Sequence, residues 1–550
     1  MRRFLAVCLP GLLALPALGQ QATQPMPTFS ESVEVRVLNL DVDVTDSKGQ
    51  PVPDLKRGDF TLRIGGKVVP IDYFSRVDEG LIHAPDLATA SPDQVLATYR
   101  KGEDAYVPRN FLMFIDLGYL PPGLRTRSLE ALRDLVTRLG PSDGVRIVVF
   151  DRAPTVLQDW TTSKELALAA LSDVERGRVG MSRLQSQQQA IALMDQTPRS
   201  RRAVGYRLQI ADQYAAEVAP QIRDMIASMR QEIVTLTPLH GKKAFLFLTG
   251  GFEYQPGFVM SQYATGGIPS LANMNVRDVP QHLNDLIRDA NSNLITFYTI
   301  DATGLTGEGT PASQGTPLSN QIGFENRPSV TFQARQDRQT GMLQMATDTG
   351  GLALLNTNDF QGGLSRVYQD VSTYYTIGTT LSKLGITTYE AVQVEVDRPG
   401  VKVRARRGYR PLSEEQAVAT RAQATLDTDL TYGAIPVALK TEPPSLEKKL
   451  YVLPLTVLVP ASSLTFLPAG DRASAKAEIY VGSVDDKGRT SPVTRQETSF
   501  EIAADKVQSD TPLAFVTRLQ MKKGNYRVVV NVLDPQSGRM GTGRANVHVE

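Results

Sequence analysis

Three apolar runs in this chain each end on an aspartate. Residues 111–115 read FLMFI before Asp116, 145–150 read VRIVVF before Asp151, and 294–300 read LITFYTI before Asp301. A strand that is apolar on both faces belongs at the centre of a parallel sheet covered by helices, because an antiparallel sheet open to water on one side alternates instead. The intervening segments carry helical periodicity. Leu129, Leu132, Val136 and Leu139 fall on one face, as do Ile222, Met225, Ile226, Met229, Ile233 and Leu236. Further helices are predicted over 164–174, 283–290, 342–347 and 359–370, and further strands over 244–248 and 352–355. The alternation predicts an α/β domain over 105–371, with a mostly parallel sheet and helices on both faces. Asp116 and Asp301 then stand at the carboxyl edge, where such sheets bind ligands. Two stretches rich in glycine and polar residues, 252–280 and 305–338, read as inserts in this domain.

The flanks read as β structure. Val33, Val35 and Val37, then Leu40, Val42 and Val44, alternate with polar residues, and 59–64 and 67–74 form a candidate hairpin around Gly65-Gly66, with Pro70 demoting the second strand to an edge or bulge. Strand patterns return at 373–378, 391–396 and 401–406. Each flank alone supplies about three strands, marginal for an independent core. Residues 31–76 and 372–411 are therefore expected to form one β domain interrupted by the α/β domain. Residues 77–104 and 412–447 read as linkers, the latter with room for a short helix. Residues 448–550 offer at least six strands separated by turns such as Asp485-Asp486-Lys487-Gly488, and predict a β-sandwich.

Two early arginines, an apolar run from 4 to 15, and Ala17-Leu18-Gly19 predict a secretory signal peptide over 1–19, followed by a polar leader over 20–30. Cleavage there removes Cys8, the chain's one cysteine. The expected location is secreted, periplasmic or cell-envelope, and no later run is long enough for a stable membrane span. With 59 basic against 58 acidic residues there is no basic excess of the kind a nucleic-acid surface uses. One cysteine and four dispersed histidines exclude iron–sulfur clusters, cysteine-rich zinc sites and internal disulfides. No His-Glu-x-x-His, P-loop or Gly-x-Ser-x-Gly pattern is present.

Several ordered motifs carry a resemblance. TDSKGQPVPDLKRGDF, FLMFIDLGYLPP, GKKAFLFLTGGF, ITFYTIDATGL, LQMATDTGGLALLNTND, DVSTYYTIG and VKVRARRGYRP, spread over 33–411, resemble the VWFA-related predicted secreted proteins common in Acidobacteria. The resemblance implies a von Willebrand factor type A domain, Rossmann-like, with flanking β structure and no established catalysis. It also implies a metal site opening with Asp-x-Ser-x-Ser, and here this chain departs. The stretch is Asp116-Leu117-Gly118-Tyr119-Leu120, so Gly118 and Leu120 replace both hydroxyls, and Gly250-Gly251 replaces the later Asp-Gly. Magnesium needs near-octahedral oxygen ligation, which one carboxylate does not define. Asp116, Thr249 and Ser182 are the candidate metal ligands in a degenerate site, and the alternative use of Asp116 is to cap the next turn.

No catalytic or cofactor-binding residue is identified. The expected function is an exported, non-catalytic binding or adhesion-like protein acting on an unknown protein or cell-envelope ligand, with no cofactor. One alternative is a divalent-metal-dependent binder using weak magnesium or calcium at Asp116. A secreted hydrolase is the third class, and it would need a nucleophile and base converging in a pocket.

Overall fold

A computed structural model describes residues 37–83, 106–177, 180, 182–198, 200, 202–266, 278–305, 328–380, 384–447, 450–469 and 471–550. The expected signal peptide and leader lie outside the described residues. The described chain is mixed α/β with several sheets, and it divides into two compact units, Glu34–Leu412 and Ser413–Glu550.

At the centre of the first unit is a six-stranded sheet. Its order is Ala353–Leu354, Ile295–Asp301, Lys242–Thr249, Arg109–Asp116, Gly144–Phe150 and Pro154–Thr161, parallel except for the last strand. Every residue of Arg109–Asp116 is buried, and alternate side chains serve opposite faces. Phe111, Met113 and Ile115 pack under helices Pro122–Thr137, Lys164–Arg176 and Phe360–Ser372. Leu112 and Phe114 pack under helices Ser182–Gln196, Val204–Leu236, Asp278–Ser292 and Pro328–Thr349. That double cover is why the sequence shows runs here and not alternation.

The flanking strands interleave. Val37–Thr45 lies between Tyr374–Thr380 and Lys402–Ala405, with Val37 opposite Thr380 and Thr45 opposite Lys402. Tyr73–Asp78 and Leu81–His83 complete that five-stranded sheet. A second sheet pairs Phe60–Ile64 with Glu390–Val396, with Lys67–Val69 at one edge and Gly408–Tyr409 at the other. Pro70 follows the edge strand, where its missing N–H costs no ladder bond. Phe60, Phe74 and Tyr375 join the two sheets, with ring centroids 5.2 to 5.7 Å apart. Lys242 Nζ donates to Asp41 Oδ2 at 3.0 Å, and the Arg404 guanidinium grips Asp370 at 2.7 and 2.8 Å, so charged pairs link these sheets to the α/β layers.

In the second unit, one sheet holds Ala438–Thr441, Ser445–Glu447, Leu450–Pro460 and Pro512–Met521. Another holds Leu467–Ala469, Arg472–Asp485, Thr494–Ala503, Gly524–Leu533 and Met540–Val549. Leu453, Leu455 and Val457 of the first share one core with Ile479, Val528 and Val530 of the second.

Several expectations need correction. The stretch read as a linker from 77 begins as strand, since Asp78 and Leu81 pair across Glu79-Gly80, while 84–105 lies outside the described residues. The 252–280 insert contains helix Phe258–Thr265, which buries Val259, Met260, Tyr263 and Ala264. The insert at 305–338 ends inside helix Pro328–Thr349, so the helix expected over 342–347 starts far earlier. The 412–447 linker holds helix Glu414–Asp427 and two strands, because Val418, Ala422 and Leu426 make a narrow buried stripe in a polar sequence. The helix expected from Ile222 begins at Val204 and runs 33 residues through Pro220. Helix Ser182–Gln196 and the antiparallel strand Pro154–Thr161 were not expected from the sequence.

Candidate functional site

The strand Arg109–Asp116 ends in the hydrophobic interior of the carboxyl edge, and Asp116 has no solvent exposure. A carboxylate in such a place must be neutralised or fully hydrogen-bonded. Both of its oxygens are engaged. Thr249, the last residue of the neighbouring strand, donates its Oγ1–H to Oδ2 at 2.7 Å and accepts the Gly251 N–H at 3.0 Å. Oδ1 accepts the Gly118 N–H at 3.2 Å and forms an ion pair with Nη2 of Arg183.

Arg183 was not among the sequence candidates. It lies in the first turn of Ser182–Gln196 and is as completely buried as its partner. Its guanidinium lies 5.4 Å from the centroid of the Tyr119 ring. Gly118 makes the placement sterically feasible. A Cβ at that position would fall deep inside the van der Waals surfaces of Nη2, Nε and Cζ of Arg183. The loop supports the arrangement, because the Leu184 N–H donates to the Gly118 carbonyl at 3.0 Å.

Of the three candidate ligands, the structure joins Asp116 and Thr249 and sends Ser182 elsewhere. Ser182 Oγ donates to Asp151 Oδ1 at 2.6 Å, at the end of the next strand. Asp301 likewise is committed, accepting Thr303 Oγ1 at 2.6 Å and Gln339 Nε2 at 2.6 Å. The donor set does not fit a divalent cation. A guanidinium already neutralises Asp116, Gly118 offers no side-chain oxygen, and no group of three or more His, Cys, Asp or Glu side chains suited to a metal occurs among the described residues. Of the candidate ligands, Ser182 is the one whose hydroxyl is bonded away from Asp116, to Asp151.

Around this pair lies a second buried polar group. Tyr119 and Tyr214 share a hydroxyl contact of 2.7 Å, Tyr214 donates to Glu253 Oε1 at 2.5 Å, and Glu253 Oε2 accepts the Gly257 N–H at 2.9 Å. Burial, then the Glu253 charge, pushes both phenols above their ordinary range, so both remain neutral donors. Arg338 lies over Tyr119 at 4.8 Å from its centroid. Asp337 beside it has an enclosed Oδ2 without a hydrogen-bond partner. Burial first, and then Glu253, pushes its carboxyl up to about 7, although the Gln255 N–H reaches it at 3.0 Å. The histidines are elsewhere: His83 in a flanking strand, His240 before the amino end of Lys242–Thr249, His282 in Asp278–Ser292 and His548 in the second unit.

The sequence signal for Arg183 was its periodicity. It shares a helical face with Gln187, Ala190, Ile191 and Met194, all buried, so a charge at that position requires a buried counter-charge.

No protein-family model matches the chain, and no curated protein matches it. Solved structures give likenesses at low identity. A von Willebrand factor type A protein from Catenulispora acidiphila aligns with TM-score 0.23 and 11% identity over 89% of this chain and 73% of that one. The conserved hypothetical protein BatB from Bacteroides thetaiotaomicron aligns with TM-score 0.21 and 10% identity over 48% of this chain and 97% of that one. The pilus adhesin SpaC from Lactobacillus rhamnosus GG aligns with TM-score 0.17 and 8% identity over 81% of this chain and 54% of that one.

Proposed function

We propose that this chain is an exported, non-catalytic binding or adhesion-like protein whose α/β part is a type A-like domain working without a metal at its strand edge. The observation that carries this reading is the Arg183–Asp116 ion pair, completed by Thr249, which neutralises from within the carboxylate a metal-dependent edge would keep for its cation. The signal-like start supports export, and among the described residues no helix is long and apolar enough to cross a membrane. The contact face would be the loops over the carboxyl edge, with a protein or cell-envelope component as partner.

The test is capture of a native cell-envelope fraction on the immobilised full chain, in EDTA and in magnesium or calcium. Equal, saturable retention in both is expected. Retention that vanishes in EDTA and returns with magnesium would establish the metal-dependent alternative. Turnover of peptide, ester or glycoside substrates by the pure protein would establish the hydrolase.

A further inference from the structure

The side chain of Arg183 occupies a place that a free cation would otherwise fill, and we infer that it is a tethered cation whose removal opens a small-cation site at Asp116. Three observations converge. First, Asp116 and Arg183 are both without solvent exposure, so each charge depends on the other for neutralisation. Second, Arg183 stands in the first turn of a helix, where the partial positive charge of unpaired N–H groups disfavours a cation. Its Nε has no hydrogen-bond partner. Neither the helix nor complete hydrogen bonding explains a guanidinium here, whereas the Asp116 carboxylate does. Third, Gly118 is the position at which a side chain would expel the guanidinium. Gly118 and Arg183 therefore form one device: the missing side chain opens the volume and the guanidinium fills it.

Cutting Arg183 back to alanine leaves a buried carboxylate, the Thr249 hydroxyl and a void shaped to a planar cation. The ligand class is a small cation carrying several N–H donors, guanidinium itself being the closest probe. Adding a hydroxyl at position 118, whose Cβ would stand where the guanidinium lies, adds an oxygen donor beside the carboxylate and shifts the class towards a hydrated divalent ion.

The experiment measures thermal unfolding of the full chain as wild type, Arg183→Ala, and Gly118→Ser/Arg183→Ala, each in millimolar guanidinium chloride, sodium chloride and magnesium chloride. The single variant should unfold at a lower temperature, and guanidinium should raise its midpoint relative to sodium. The double variant should respond to magnesium, and the wild type to neither. An Arg183→Ala protein that is folded yet responds equally to guanidinium and sodium overturns the assignment. Should Arg183→Ala fail to fold, the charge-free pair Asp116→Asn/Arg183→Met decides. It should exceed Arg183→Met alone in folding equilibrium constant by a factor of about 10 or more, because it removes an unpaired buried charge. Equal stability of those two overturns it as well. The assignment rests on the metal-independent reading of this edge, but stability is measured with no partner present. Failed capture of an envelope ligand would therefore leave it standing, and failed rescue would leave capture to its own result.

Discussion

At Gly118 a single hydrogen atom in place of a side chain decides what the carboxyl edge contains. Gly118→Ala, which adds a carbon and no polar group, should destabilise the first unit by about 1 to 3 kcal/mol, the usual cost of overpacking a filled interior. Denaturant unfolding would show it, and an unchanged midpoint would mean that Arg183 leaves at no cost. Asp337 makes a prediction of opposite character. Its folded-state pKa is raised from 3.8 to about 7 by burial and then by Glu253. A raised value means that the folded protein holds the proton more tightly than the unfolded chain. The associated stability is fully present below pH 3.8 and is lost as pH rises through about 7. Asp337→Asn should therefore flatten the pH dependence of stability across that window and be the more stable form at pH 8, as pH-jump denaturation would show. At this scale the sequence revealed Asp116, Thr249 and the missing hydroxyls. It did not reveal Arg183, because an arginine reads as surface until its helix is placed and its face is known.

At the scale of elements, legibility followed the length of apolar runs. The central strands were plain because both faces are covered. Helix Ser182–Gln196 was obscured by five glutamines and two serines, although Gln187 and Ser186 are buried. Phe258–Thr265 was hidden in a stretch whose glycines read as loop, and the helix starts at one of them: Gly257 has φ +78°, with Ala215 packed where its Cβ would be. Helix Glu414–Asp427 joins a narrow buried face to a capped amino end. Ser413 Oγ accepts the Gln416 N–H at 3.1 Å, and the Gln416 side chain returns the bond to the Ser413 N–H. Ser413→Ala should cost about 1 kcal/mol, the typical worth of an N-cap hydroxyl. Calorimetry should show the loss in the transition of Ser413–Glu550 and leave that of Glu34–Leu412 in place.

For the whole molecule, the order of the chain and the order of the strands disagree, and this has a consequence for folding. Val37–Thr45 is among the first described residues, yet its ladder partners on both sides, Tyr374–Thr380 and Lys402–Ala405, come more than three hundred residues later. The need for that pairing was legible, since each flank has strands with one apolar face and too few neighbours to cover it. The register was not, because alternation of period two tolerates any even slip. Loop closure over such a distance is costly, and the α/β layers between the flanks reduce it by folding and bringing residues 109 and 372 together: Arg109 Nη1 donates to Ser372 Oγ at 2.6 Å. A chain stopped after residue 372 keeps the α/β layers but deprives Leu40 and Val42, both without solvent exposure, of the strands that cover them. It also takes Arg404 away from Asp43, a buried carboxyl that burial and then Asp370 already push upward in the intact protein. In limited proteolysis, residues 37–83 should be cut rapidly in the fragment 31–372 and protected in the fragment 31–412, while the core strands 109–116 and 242–249 survive in both. Equal protection of 37–83 in the two fragments would mean that these strands find a partner without the late segment, and that the interleaved pairing is not what holds them.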